Sequence, residues 1–504
     1  MINILADGRQ NLSPPESPMS LKILFCASEA TPFAKTGGLA DVAGSLPEAL
    51  AALGCDVRLL MPLYPCVDRG EDTLKILAEW IPIPVGIHTY HVHFWQWMHP
   101  SSYPVYFMEK DEFFHRPNLY VHPLRGDYED NAQRFITFSR AVSALCKHLD
   151  WIPDVLHLHD WQTACAAAYQ HFLWRYDPAF SPVRTLLTIH NLAHQGLFPE
   201  SYFSLTGLPP EAYTIEGMEF YGQCNFLKAG IAYSHRISTV SPRYAREILE
   251  PKQGFGLDGI LRRRQEDLVG ILNGIDADRW DPARDTLIPA PFDADRLEGK
   301  KACKDHVMQE LDFPQTLRDD PLCVVVSRLV HQKGIDLILD ALDDMMDLSV
   351  CLAVLGTGDP HLEKLLEQAQ SRHPERVRVV LAFDEALAHR LEAGGDLFLM
   401  PSRYEPCGLN QMYSMRYGTI PIVAATGGLD DSVVDAAQNP HTGTGFKFYE
   451  HTREAFLGAL KAALEAHRDA PRWRELQRRA MSEDFSWRRA ARSYLALYED
   501  MLAR

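Results

Sequence analysis

Short apolar runs alternate with amphipathic stretches from Leu21 almost to the end of the chain. KILFCAS (Lys22–Ser28) reads as a strand apolar on both faces, and it runs into the loop that carries KTGG. Leu39, Val42, Leu46, Leu50 and Leu53 then recur at helical spacing until Gly54 stops the helix, and DVRLLMP follows as the next strand. This β–loop–α–β order predicts a parallel, doubly wound α/β sheet. The same order recurs with DVLHLHD (Asp154–Asp160), TLLTIHN (Thr185–Asn191) and RISTVSP (Arg236–Pro242). It restarts after LVGILNGIDADRWDP (Leu268–Pro282) with CVVVSRL, SVCLAVLGTGD, RVRVVLAF, DLFLMPSRYEPCG and IPIVAATGG. Two sheets are therefore expected, one in a domain over residues 21–268 and one in a domain over 269–483. DFSWRRAARSYLALYEDML then reads as a closing amphipathic helix within 484–504.

A length of 504 residues suits two or three domains rather than one core. Residues 1–20, with neither a basic start nor a long apolar run, are expected to be a disordered extension and not a signal peptide. No window approaches 18 uninterrupted apolar residues, so no membrane span is expected. The net charge of −17 argues against nucleic acid or an acidic membrane surface as a partner. It also means that an anionic ligand needs a local cationic pocket. Ten cysteines without a C-x-x-C pair suit a reducing cytoplasm.

Open α/β sheets bind ligands beyond the carboxyl ends of their strands. Standing there in the first half are Lys35, Gly37, Gly38, Asp41, Asp160, His190 and Asn191; in the second half they are Arg328, Lys333, Glu405, Cys407, Gly408, Thr426, Gly427 and Gly428. The tetrapeptide TGGL occurs in both halves, each time after a strand and opening a helix. Paired glycines let a ligand reach backbone N–H groups at the positive end of a helix, so the two copies are expected to form opposite walls of one cleft. Neither copy extends to G-x-G-x-x-G, which argues against a nicotinamide dehydrogenase. Arg328 and Lys333 can converge on one anion. Glu405, in a proline-containing turn, can accept hydrogen bonds from sugar hydroxyls. His157 and His159 point to one face of a strand but have no third ligand at a recognised metal spacing, so no metal site is expected.

KTGGLADV, HDWQTA, TIHNLAHQGLF, ILNGID, SRLVHQKG and PSRYEPCGL, in this order and spacing, resemble the bacterial-type glycogen synthases and the related plant starch synthases. The resemblance runs from about Lys22 to the last helix. It implies two Rossmann-like domains facing a deep cleft (the GT-B architecture), with the last helix crossing back to the first domain. It further implies glucosyl transfer from ADP-glucose to the non-reducing end of an α-1,4-glucan, with retention and with no metal or other cofactor. By the same resemblance, Lys35 with the Gly37–Gly38 backbone binds the donor's diphosphate region, and Arg328 and Lys333 neutralise the departing diphosphate; Asp41 is a further substrate-binding candidate. Glu405 contacts the sugar beside Cys407 and Gly408, while Asp160, His190 and Asn191 line the glucosyl side. Asn273 belongs to the interdomain segment, and Thr426, Gly427 and Gly428 hold the donor from the second domain. Tyr413 stands where many related enzymes carry a second glutamate, and Asn410 and Ser432 stand where threonine is frequent. An α-glucan phosphorylase of the same architecture would want a cofactor-bearing lysine and a longer chain. A silent glucan-binding protein would bind the polymer without turning over a donor.

Overall fold

A computed structural model describes residues 20–70, 72–98 and 101–503; the expected N-terminal extension lies almost wholly outside them. Strands β1 (Lys22–Cys26), β2 (Asp56–Pro62), β3 (Leu74–Val85), β4 (His88–Trp97), β5 (Val105–Glu109), β6 (Val155–His159), β7 (Arg184–Ile189), β8 (Arg236–Thr239) and β9 (Leu268–Gly270) form one sheet, in the order β9-β8-β7-β6-β1-β2-β5-β4-β3. It is parallel from β9 through β5. The residues Ile23 to Cys26 of β1 are all 0–1% exposed, as expected of a strand covered by helices on both faces.

A second sheet holds β10 (Leu322–Val326), β11 (Cys351–Leu355), β12 (Val377–Val380), β13 (Leu397–Met400), β14 (Ile420–Ala424) and β15 (Phe446–Phe448), ordered β12-β11-β10-β13-β14-β15 and wholly parallel. The switch points at β1 and β10 place the loops after these strands over the space between the sheets.

Two details differ from the sequence reading. β3 and β4 pair antiparallel and extend the first sheet beyond the doubly wound part. β9 pairs with β8 through Ile237 opposite Leu268, so the first sheet continues to Gly270, two residues past the expected boundary. A three-residue edge strand carries too little periodicity to be told from a linker.

Helix α7 (Trp487–Ala503) returns to the first sheet. There Tyr498 OH lies 2.8 Å from His157 Nδ1, and Arg236 Nη2 lies 2.5 Å from Asp500 Oδ2. No helix among the described residues is long and apolar enough to cross a membrane.

Candidate active site

A cavity of about 1160 Å³ lies between the two sheets. Its lining includes Lys35, Gly37, Gly38, Asp41, Asp160, His190 and Asn191 from one side and Arg328, Lys333, Glu405, Cys407 and Gly408 from the other, with Asn273 between them.

The first glycine pair opens α1 (Gly38–Ala51), immediately beyond the loop after β1. A Cβ on Gly37 or Gly38 would meet no heavy atom within 4 Å, so packing does not demand glycine there. What the missing side chains provide is free backbone facing the cavity, at the N-terminus of a 14-residue helix. Lys35 Nζ stands over the same turn, 2.7 Å from Asp41 Oδ1.

Thr426, Gly427 and Gly428 do not line the cavity, which corrects the expectation of two matching walls. Gly427 has φ +45°, and a Cβ there would stand 1.9 Å from Glu405 O; on Gly428 it would stand 2.1 Å from Cys407 O. These glycines are packed beneath the turn that carries Glu405 and Cys407. The first N–H of α6 (Gly427–Ser432) is also already used: Gly427 N donates to both carboxylate oxygens of Glu247, at 3.2 and 3.1 Å. Glu247 ends α3 (Pro242–Glu247), whose own early N–H, from Arg243, donates to Asp431 Oδ2 at 2.6 Å. Each short helix thus caps the other, and the second TGGL ties the two halves together.

Arg328 is exposed at the end of β10, and no carboxylate among the described residues pairs with it. Lys333 Nζ lies 2.6 Å from Glu405 Oε2, which also accepts from Ser402 Oγ at 3.1 Å. The two cations therefore differ: Arg328 is free, whereas Lys333 is held by the carboxylate beside it. Burial pushes the Cys407 thiol up to about 12, so it is a small uncharged group and not a nucleophile.

On the other wall, Asp160 opens α2 (Asp160–Phe172) with φ +53°, a left-handed conformation that costs a non-glycine residue about 1–2 kcal/mol. Its Oδ1 accepts from His190 N at 2.7 Å. Burial raises its carboxyl to about 7 against the pull of the His190 and Asn191 backbone N–H groups. Burial alone lowers His190 to about 3, so this imidazole is neutral. His157 and His159 pack with ring centroids 4.2 Å apart and planes tilted by 34°, and the described residues contain no group of three or more His, Cys, Asp or Glu side chains placed to hold a metal.

Several cavity residues escaped the sequence reading. Glu29 is 4% exposed and accepts from Thr36 Oγ1 at 2.9 and 3.0 Å and from Thr36 N. Trp280 stacks between His389 of α4 (Glu385–Gly394) and Tyr413 of α5 (Asn410–Arg416), each at 3.9 Å and 10°. Phe383, 92% exposed, stands at the cavity edge just beyond β12, where the strand-end rule could have found it.

Burial raises the Glu29 carboxyl from 4.5 to about 7. A raised folded value means that this group favours folding below about pH 4.5 and that the contribution is lost as the pH climbs through 7. Glu29→Gln removes the titration. Thermal unfolding is therefore expected to show the variant gaining on the wild type between pH 4.5 and 7.5; a constant difference across that range would refute the assignment.

Comparison with known proteins gives consistent matches. A family model described as starch synthase catalytic domain matches residues 22–263, and one described as glycosyl transferases group 1 matches 308–480. A glycogen synthase of Anaeromyxobacter sp. (strain Fw109-5) is 47% identical over 484 residues, covering 96% of this chain and 100% of that protein. A glycogen synthase of Thermotoga maritima is 43% identical over 490 residues, covering 96% and 99%. Among solved structures, the catalytic domain of starch synthase IV from Arabidopsis thaliana, bound to ADP and acarbose, matches with a TM-score of 0.88 and 34% identity, covering 96% of this chain and 100% of that one. A sucrose-phosphate synthase from Thermosynechococcus elongatus, at 17% identity and a TM-score of 0.59, shares the fold.

Proposed function

Because the chain belongs to the family of glycogen and starch synthases, we propose that it transfers glucose from ADP-glucose to the non-reducing end of an α-1,4-glucan, with retention of configuration. The observation that carries this reading is the single cavity shared by the free helix start at Gly37–Gly38 and the cations Arg328 and Lys333.

In the step we propose, the bond from the sugar's anomeric carbon to the diphosphate oxygen breaks and charge develops on the leaving group. Arg328, Lys333 and the start of α1 are the preplaced positive groups that stabilise it. The acceptor's 4-hydroxyl attacks from the face the diphosphate leaves, and its proton passes to a departing phosphate oxygen. Same-face attack is favoured because the two carboxylates assigned to the sugar are engaged, Asp160 Oδ1 by the His190 N–H and Glu405 Oε2 by Lys333 and Ser402. A glucosyl group trapped on either carboxylate would overturn that route. Glu405 and His190 then orient sugar hydroxyls, Asp160 and Asn191 shape the glucosyl side, and Asn273 sits where the two halves meet. Phe383 offers an open aromatic face for the base. The ten unpaired thiols support a reducing compartment, the cytoplasm, as the site of the reaction.

Elongation of maltoheptaose with ADP-glucose in EDTA tests the reaction. The oligosaccharide is expected to gain glucose units in α-1,4 linkage by NMR, with one ADP released for each. A β-linkage, or free glucose as the main product, would refute the proposal.

A further inference from the structure

β6 and β7 run side by side with His159 opposite Thr188, and this register brings His159 Nδ1 to 2.9 Å from His190 Nε2. His159 is fully buried, packed against His157 at 4.2 Å and Phe25 at 5.4 Å between ring centroids. Its other nitrogen, Nε2, is buried and reached by no hydrogen-bonding group among the described residues. Burial keeps both imidazoles neutral, so one proton lies between the facing nitrogens and there are two arrangements.

If His190 Nε2–H donates, His159 must carry its own proton on Nε2, as a buried N–H with nothing to receive it. If His159 Nδ1–H donates, only a bare lone pair is left in that apolar surrounding. Native structures strand buried N–H groups less often than buried acceptors, so the second arrangement is favoured.

We propose that His159 is a positioning residue: it donates through Nδ1, locks His190 in the tautomer protonated at Nδ1, and so makes His190 a fixed hydrogen-bond donor toward the cavity. The His190 Nε2 lone pair is then occupied and Nδ1 already carries its proton, which leaves His190 no lone pair with which to act as a general base. That the group meeting its N–H is a sugar oxygen rests on the glucosyl-transfer reading; the tautomer does not.

Ring-15N-histidine labelling of the full chain reads the tautomer directly, with the His190 signals identified by their loss in His190→Gln. A pyrrole-like Nδ1 and a pyridine-like Nε2 at His190 are expected, and a pyrrole-like Nε2 would overturn the proposal. Two variants add a kinetic readout. His159→Asn, whose amide N–H can take over the donation, should retain kcat to within about three-fold, whereas His159→Phe, which fills the space without a donor, should lower it about ten-fold. Equal kcat values for the two would also overturn the proposal. Should His159→Phe fail to fold, the wild-type spectrum alone decides. Because the spectrum is recorded without substrate, it succeeds or fails separately from the choice of reaction.

Discussion

Arg328→Ala lowers kcat about 10²–10³-fold, the range found when one preplaced donor to a developing negative charge is removed. The reasoning is electrostatic. The chain carries a net charge of −17, so a diphosphate enters a repelling field unless local cations reverse it. Lys333 is neutralised in part by Glu405 at 2.6 Å, and Lys35 by Asp41 at 2.7 Å. Arg328 pairs with no carboxylate among the described residues and supplies the largest uncompensated positive charge on its wall. Arg328→Lys should recover only part of the loss, because an ammonium cannot grip two phosphate oxygens as a guanidinium fork does. Steady-state kinetics with ADP-glucose and glycogen varied in turn checks this. A loss confined to KM for the glucan, with kcat unchanged, would place Arg328 on the acceptor instead.

Gly428→Ala and Gly38→Ala should have opposite consequences, although both glycines belong to a TGGL. At Gly428 the added methyl stands 2.1 Å from Cys407 O and 2.5 Å from Cys407 Cα, so backbone must move. A destabilisation of about 1–3 kcal/mol is expected. The turn carrying Glu405 would shift, and a displacement of ~1 Å costs about 10²-fold in rate. At Gly38 the methyl meets no protein atom within 4 Å and projects into open cavity. The fold should be unaffected, while KM for the donor rises about ten-fold from the intruding methyl. Thermal unfolding and donor kinetics on both variants separate the two roles. An unstable Gly38→Ala beside a stable Gly428→Ala would reverse the assignment.

The same pair shows what a sequence can and cannot disclose. Lys35, Arg328 and Glu405 are legible because parallel strands deliver their loops to one edge, so position after an apolar run is enough. The two TGGL copies look alike because both follow a strand and open a helix. What distinguishes them is the turn at residues 405–408 resting on Gly427 and Gly428, and the Glu247 carboxylate taking up the free N–H. Both are tertiary contacts from far along the chain. The β3–β4 pair escaped for a local reason: register shifts around Ala78 break the two-residue alternation that would have announced a strand. Glu29 escaped because nothing in SEATPF marks a buried acid. Only packing shows its carboxylate turned inward to Thr36, over the loop that leads into α1.

Transfer of labelled glucose onto glycogen, from ADP-glucose and UDP-glucose in parallel and with EDTA present, tests the central claim most directly. Polymer labelled from ADP-glucose is the predicted result. Label from UDP-glucose alone would contradict the donor, and no label from either, with folded protein, would contradict the reading of the cleft as a glucosyl-transfer site.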